Sequence, residues 1–166
     1  LSRRDPHRLK PVLICDLLGD VVKSVKQVAV GRGVRIDCQV MSAECEVAAD
    51  TVQITRALQN VISNAMDAVT GIANGAIHVV CAHNGCEAEI RVDDNGCGMD
   101  AEQMKKVFDP FFTTKQVNGT GLGLFITKKV VEDHRGSITL TSKVNEGTSV
   151  LIRLPLLNRP ALAMVG

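Results

Sequence analysis

The chain has no tryptophan, no tyrosine and only four phenylalanines among its 166 residues. Without aromatic platforms, the bases of single-stranded nucleic acid have little to stack on. Excess charge is missing too: 19 basic and 18 acidic residues leave a formal net charge of +1, which argues against a general polyanion binder. No apolar run approaches the roughly 20 residues needed to span a bilayer. No signal peptide is evident, and the chain opens on Leu1, so a fragment of a longer protein is expected. The six cysteines (Cys15, Cys38, Cys45, Cys81, Cys86 and Cys97) form no CxxC pair, so the spacing of a zinc site is absent. Several lie in apolar, strand-like runs where cysteine packs as a small hydrophobe, and reduced cytoplasmic thiols are the expectation.

What is present suits one packed domain: 45% of residues are apolar, and the length supports a real core. Residues 1–10 are basic and read as a linker, or as the end of a preceding helix. Asp16 is placed to cap a helix reaching about Val30 and closed by Gly31 and Gly33. VRIDCQV at 34–40 alternates as a strand, and CEVAA at 45–49 is a candidate partner for it. Asp50 opens a helix over 51–69 that Gly71 stops. Residues 76–83 and 87–94 read as a hairpin around Asn84-Gly85, a favoured type I′ dipeptide. Asp100 caps a short helix to about Val107, and 108–120 is loop-like. Leu122–His134 reads as a helix closed by Gly136, followed by a second hairpin around Asn145-Glu146-Gly147. The order predicts a two-layer α/β (α+β) sandwich, with a mixed, mostly antiparallel sheet and helices on one face.

Four short segments carry the chemistry. On helix 51–69, at about 100° per residue, Ile54, Leu58, Val61, Ile62, Ala65 and Val69 share one side. Asn60, Asn64 and Asp67 fall within roughly 60° on the opposite side. A solvated face more usually carries Lys and Glu; short oxygen-bearing side chains suit a hard cation such as Mg²⁺ with retained waters. DDNGCG at 93–98 can be a plain β-turn, or a carboxylate reading an adenine amino group while glycines let backbone approach the base. It lacks the carboxylates of a calcium loop. FDPFFTTK at 108–115 holds Phe108, Phe111 and Phe112, either simple packing or an apolar anchor for a lid, and Lys115, a point charge within reach of phosphate. GTGLGL at 119–124 opens a helix, whose N-terminal N–H groups bind anions. It follows a loop rather than a strand, unlike a dinucleotide fingerprint, and lacks the Gly-Lys-Ser/Thr ending of a P-loop.

Together these segments resemble the N, G1, F and G2 boxes of the catalytic, ATP-binding domain of sensor histidine kinases. That family lies in the GHKL superfamily with gyrase, Hsp90 and the MutL proteins. The resemblance covers roughly residues 9–156, and the boxes look most like those of nitrogen-regulation and oxygen-sensing kinases. It implies a Bergerat fold: a five-stranded mixed sheet covered by three helices, over 11–156, with 157–166 as a tail.

The resemblance further implies Mg²⁺ on Asn64 and ATP contacts from Asn60, Asn64, Asp67, Asp94, Gly96, Gly98, Phe112, Thr114, Lys115, Gly119, Thr120, Gly121, Leu122, Gly123, Leu124 and Thr148. Asp94 is implied to read adenine, with Thr148 helping to hold Asp94 or a water. Asn60 and Lys115 are the implied catalytic pair. Asn60 stands where ATPase relatives carry a water-activating Glu, and an amide cannot act as a general base, which favours transfer over hydrolysis. The implied partners are a dimerisation and phosphoacceptor domain of the same kinase and a response regulator receiver domain, with no nucleic acid and no membrane contact by this fragment. The implied location is cytoplasmic, with a membrane anchor elsewhere in the full-length kinase left open. None of His7, His78, His83 and His134 sits in an acceptor motif. A nucleotide-sensing pseudokinase and an anti-sigma-type serine kinase are the alternatives.

Overall fold

The computed structural model describes residues 8–114 and 119–158. Its elements run β1 (Lys10–Leu13), α1 (Ile14–Gly31), β2 (Arg35–Val40), β3 (Glu46–Ala49), α2 (Thr51–Val69), β4 (Ala76–His83), β5 (Glu87–Asp94), α3 (Ala101–Lys106), α4 (Gly123–Asp133), β6 (Ser137–Lys143) and β7 (Gly147–Pro155). Five strands form one sheet in the order β2-β4-β5-β7-β6. β2 runs parallel to β4, and the other neighbours are antiparallel. This is the mixed, mostly antiparallel five-stranded sheet anticipated above.

Alternation decides which face of the sheet is dry. Ile77, Val79 and Cys81 of β4, Ala88, Ile90 and Val92 of β5, and Val150, Ile152 and Leu154 of β7 are all buried. The register sets them side by side: Val79 opposite Val92, Ile90 opposite Ile152. Their neighbours along β5 (Glu87, Glu89, Arg91, Asp93) face away, as a strand's period of two requires. α1 packs on β2, α2 against β4, β5 and β7, and α4 against β6, β7 and α2. The apolar side of α2 supplies Ile54, Leu58, Val61, Ile62, Ala65 and Val69, each at most 5% exposed, so the helical wheel held residue by residue. α3 is a fourth, short helix without a buried residue, held by a capping box between Asp100 and Gln103.

Four local expectations are corrected. β3 does not pair with β2; it pairs antiparallel with β1 in a separate two-stranded sheet. Periodicity finds strands but does not choose their partners, which are set by non-local packing. The expected linker therefore overlaps a strand: Lys10 begins β1, and Pro11 is tolerated because, among the described residues, β1 pairs only with β3. Asp16 lies in the first turn of α1 rather than at its cap, Leu13, which makes no side-chain capping bond. The Ile14 N–H is instead taken by the Cys45 carbonyl at 2.9 Å, and Asp16 contributes through the helix dipole. Finally, the β4–β5 turn is not type I′, which needs positive φ at two central residues. Gly85 is positive, Asn84 is not, and the Asn84 Oδ1 accepts from the N–H groups of Cys86 and Glu87.

The thiols also differ from expectation. Cys15 and Cys81 are joined in a disulfide, tying α1 to β4; Cys38, Cys45, Cys86 and Cys97 are free. The two partners lie far apart in sequence, and only the packing of α1 on the sheet brings them together. Leu156 bridges to Val47, and the Leu157 N–H bonds the Glu46 carbonyl at 2.9 Å, so the chain remains engaged to that point. Among the described residues, no helix is long and apolar enough to cross a membrane.

Candidate functional site

α2 owes its start to two buried groups. Asp50 caps it, its Oδ1 accepting from Val52 N–H at 3.0 Å and Gln53 N–H at 3.1 Å. The Asp50 N–H in turn donates to His134 Nε2 at 3.0 Å, while His134 Nδ1 donates to the Val130 carbonyl at 2.7 Å. That pattern fixes a neutral tautomer and ties the end of α4 to the beginning of α2. The polar stripe of α2 then forms one wall of a cavity of about 430 Å³, lined by Asn60, Asn64 and Asp67.

The second wall is the turn after β5. Asp94 lines the cavity and is half-buried; its Oδ1 accepts from the Gly96 N–H at 2.8 Å. Burial pushes its carboxyl above the usual aspartate range. Hydrogen bonds from the backbone N–H groups of Gly96 and Thr148 pull it down, and the Asp93 charge pushes it up. Gly96 is buried behind the wall, where a Cβ would run into the Ala68 carbonyl of α2. The Cys97 N–H donates to that same carbonyl at 3.2 Å. Gly98 has φ +66, and a Cβ there would overlap the Lys143 carbonyl. These glycines are required by close approach, and they press the turn onto α2 and the β6–β7 hairpin.

That hairpin brings in groups the sequence did not single out. The Ser142 Oγ accepts from Met99 N–H at 2.8 Å, donates to the Gly147 carbonyl at 3.0 Å and meets the Thr148 hydroxyl at 2.7 Å. Thr148 therefore supports Asp94 through its backbone N–H, while its hydroxyl is engaged with Ser142. Gly147, at φ +114, has no room for a Cβ beside the Asp94 carbonyl.

The third wall holds the remaining two segments. Phe112, Thr113 and Thr114 line the cavity, as do Gly119, Thr120, Gly121, Gly123 and Leu124. The three phenylalanines diverge. Phe108 packs on the core under the Lys128 ammonium, 5.2 Å from the ring centre; Phe112 faces the cavity; Phe111 is 75% exposed with φ +67. Gly121, at φ +70, would collide with the Phe111 backbone if it carried a Cβ. This contact fits the two loops together, and Asn60 lies beside Gly123.

Most of the anticipated residues thus converge. Gly96 shapes the wall from behind. Leu122 is not among the lining residues, because it is the N-cap of α4 and its N–H faces the Thr120 hydroxyl at 3.4 Å. Asp67 lines the cavity and also pairs with Arg32 at the end of α1, at 3.0 Å, a partner no spacing in the sequence announced. Lys115 lies outside the described residues. Cys97 is exposed at the rim.

Comparison with known proteins bears on this geometry. Residues 49–158 match the profile of the family described as histidine kinase-, DNA gyrase B-, and HSP90-like ATPase. Sporulation kinase B of Bacillus subtilis is 39% identical over 106 residues, covering 64% of this chain and 24% of that protein. The sensor histidine kinase ZraS of Escherichia coli is 32% identical over 148 residues, covering 89% of this chain and 31% of that protein. The chain thus spans less than a third of the length of these two relatives. Among solved structures, the nucleotide-free catalytic domain of histidine kinase ThkA superposes with a TM-score of 0.79 at 27% identity, covering 89% of this chain and 97% of that one. Full-length ShkA in complex with AMPPNP superposes with a TM-score of 0.78 at 25% identity, covering 89% and 31%.

Proposed function

The chain belongs to the histidine kinase-, DNA gyrase B-, and HSP90-like ATPase family, and from that premise we propose that it holds Mg-ATP for γ-phosphoryl transfer to a histidine on a separate dimerisation domain. It is an ATP-binding catalytic domain of the sensor histidine kinase type. The observation that carries the proposal is the convergence on one cavity of the α2 stripe, the Asp94 turn, the loop carrying Phe112 to Thr114 and the glycine-rich loop that opens α4.

In this reading Asp94 accepts a hydrogen bond from the adenine amino group, with Gly98 in the lining beside the base and Gly96 seating the turn on α2 from behind. The residues of 119–124 present N–H groups to the phosphates at the start of α4. The donors on α2 are oxygen-bearing side chains, which suit a hard cation; Asn64 would hold Mg²⁺, and Asn60 and Asp67 flank it. Mg²⁺ supplies neutralisation of phosphate charge when bound. Asn60 orients rather than deprotonates, since an amide is no general base. Lys115 is assigned the γ-phosphate charge, alongside Phe112 and Thr114 of the same loop. The attacking group is an imidazole nitrogen supplied by the partner domain. It forms the N–P bond as the bond from the γ-phosphorus to the bridging oxygen breaks and ADP leaves.

The phosphoryl group then passes to a response regulator receiver domain, on the cytoplasmic side where ATP is found. The domain is assigned residues 10–157, with Lys10 and Leu157 taken into it from the expected flanks; 1–9 are the link to the dimerisation helices and 158–166 a tail.

The test is radiolabelled phosphoryl transfer by the full-length kinase. Acid-labile, alkali-stable label lost in Asn64→Ala supports the proposal. Acid-stable label indicates a serine kinase. Nucleotide binding without any label indicates a sensing pseudokinase; either result overturns the histidine reading.

A further inference from the structure

The disulfide between Cys15 and Cys81 has a third sulfur against it. The Cys15, Cys45 and Cys81 sulfurs all lie within 4.8 Å of one another, and the residues are 3%, 0% and 0% exposed. They come from three elements: the first turn of α1, the segment just before β3, and β4. The Cys45 Sγ lies 3.4 Å from the Ser42 carbonyl and 3.6 Å from that of Ala82, and the Cys15 Sγ lies 3.2 Å from the same Ser42 carbonyl. The backbone holds the same junction, since the Ile14 N–H donates to the Cys45 carbonyl. None of the three cysteines lines the nucleotide cavity.

We propose that Cys15, Cys45 and Cys81 form one buried thiol–disulfide site, in which Cys45 displaces either partner of the Cys15–Cys81 bond. In the exchange Cys45 gives up its thiol proton, and its sulfur bonds to that of Cys15 or Cys81. The Cys15–Cys81 bond breaks, and the departing sulfur keeps the electron pair and takes up a proton. No external oxidant or reductant enters this step. Making the disulfide from three thiols is a two-electron oxidation. A low-molecular-weight disulfide such as oxidised glutathione serves, leaving as two molecules of reduced glutathione.

The chemistry follows from placement. Exchange needs a thiolate that can reach a disulfide sulfur, and burial beside the bond supplies the reach. Burial also pushes the Cys45 thiol up, so its thiolate is scarce and exchange is slow. The Cys15–Cys81 and Cys15–Cys45 pairings fasten the start of α1 to the rest of the fold, and Cys45–Cys81 ties the segment before β3 to β4 instead. The remaining thiols do not belong to the cluster; Cys86 and Cys97 are exposed, and Cys38 is half-buried on β2.

The test is disulfide mapping by mass spectrometry after incubation with oxidised glutathione and acid quenching, on the unaltered chain, Cys81→Ala and Cys15→Ala. The proposal expects a Cys15–Cys45 bond in Cys81→Ala and a Cys45–Cys81 bond in Cys15→Ala. In the unaltered chain, Cys15–Cys81 dominates with a minority of bonds to Cys45. Cys45 recovered wholly as free thiol in both variants overturns it, as does Cys45 paired equally with Cys38, Cys86 and Cys97. Should either variant fail to fold by circular dichroism, the unaltered chain decides: Cys45 absent from every disulfide overturns the site.

Discussion

Asp94 carries the most chemistry of any single residue here, and its surroundings pull in two directions. Burial raises its pKa, and two backbone N–H donors only partly offset that. A carboxyl whose folded pKa lies above its unfolded value favours the folded state when protonated. That contribution is present below the unfolded pKa and is lost as pH rises through the folded one. Asp94→Asn is therefore expected to raise the melting temperature at neutral pH and not at pH 3, which a thermal scan at both values checks. In the proposed site the ionised carboxylate is the stronger acceptor for the adenine amino group, so ATP affinity is expected to fall on acidification at a higher pH than an ordinary aspartate would impose; titrations between pH 4 and pH 8 would detect it. Asp94 was legible from sequence because a carboxylate followed by glycines is a local pattern. Arg32 and Ser142 were not, because each acts across a contact between distant segments: Arg32 on Asp67, Ser142 on Met99 and Gly147.

Elements were read better than their partners. The two faces of α2 followed from its period and its Asp50 cap, and every core residue expected on it is buried. The pairing of β3 with β1 had no local signature, since four-residue strands carry too little pattern to name a neighbour. Nor did composition mark His134, an ordinary polar residue near a helix end that proves to be 6% exposed. Its Nε2 accepts the Asp50 N–H and so joins α4 to α2. His134→Ala leaves that buried donor unpaired, at a cost of about 1–3 kcal/mol. The expected result is a lower denaturation midpoint and weaker nucleotide binding, because both helices line the cavity. A stability unchanged within error would contradict the link. Gly121→Ala should weaken nucleotide binding with little change in the core, since the nearest atoms to the added Cβ belong to the exposed Phe111; a titration beside a denaturant melt separates the two effects.

At the scale of the whole molecule, the disulfide closes a long loop, its partners 66 residues apart. Chain entropy assigns such a loop about 4 kcal/mol, so reduction should lower the melting temperature clearly while leaving ATP affinity unchanged, the cysteines being away from the cavity. The sheet and helix layers were legible because β4, β5, β7 and α2 each announced one dry face. The small β1–β3 sheet and the Cys15–Cys81 bond were not, because both join segments far apart in sequence. The central claim is that the four converging segments make one adenine-nucleotide site centred on Asp94. The most direct measurement is a calorimetric titration of the chain with ATP, with and without Mg²⁺, beside Asp94→Ala and Asn64→Ala. Saturable binding should weaken about 10- to 150-fold in Asp94→Ala, the range for losing a hydrogen bond to a charged group, and should lose its Mg²⁺ dependence in Asn64→Ala. Absent binding, or binding indifferent to both substitutions, would contradict it.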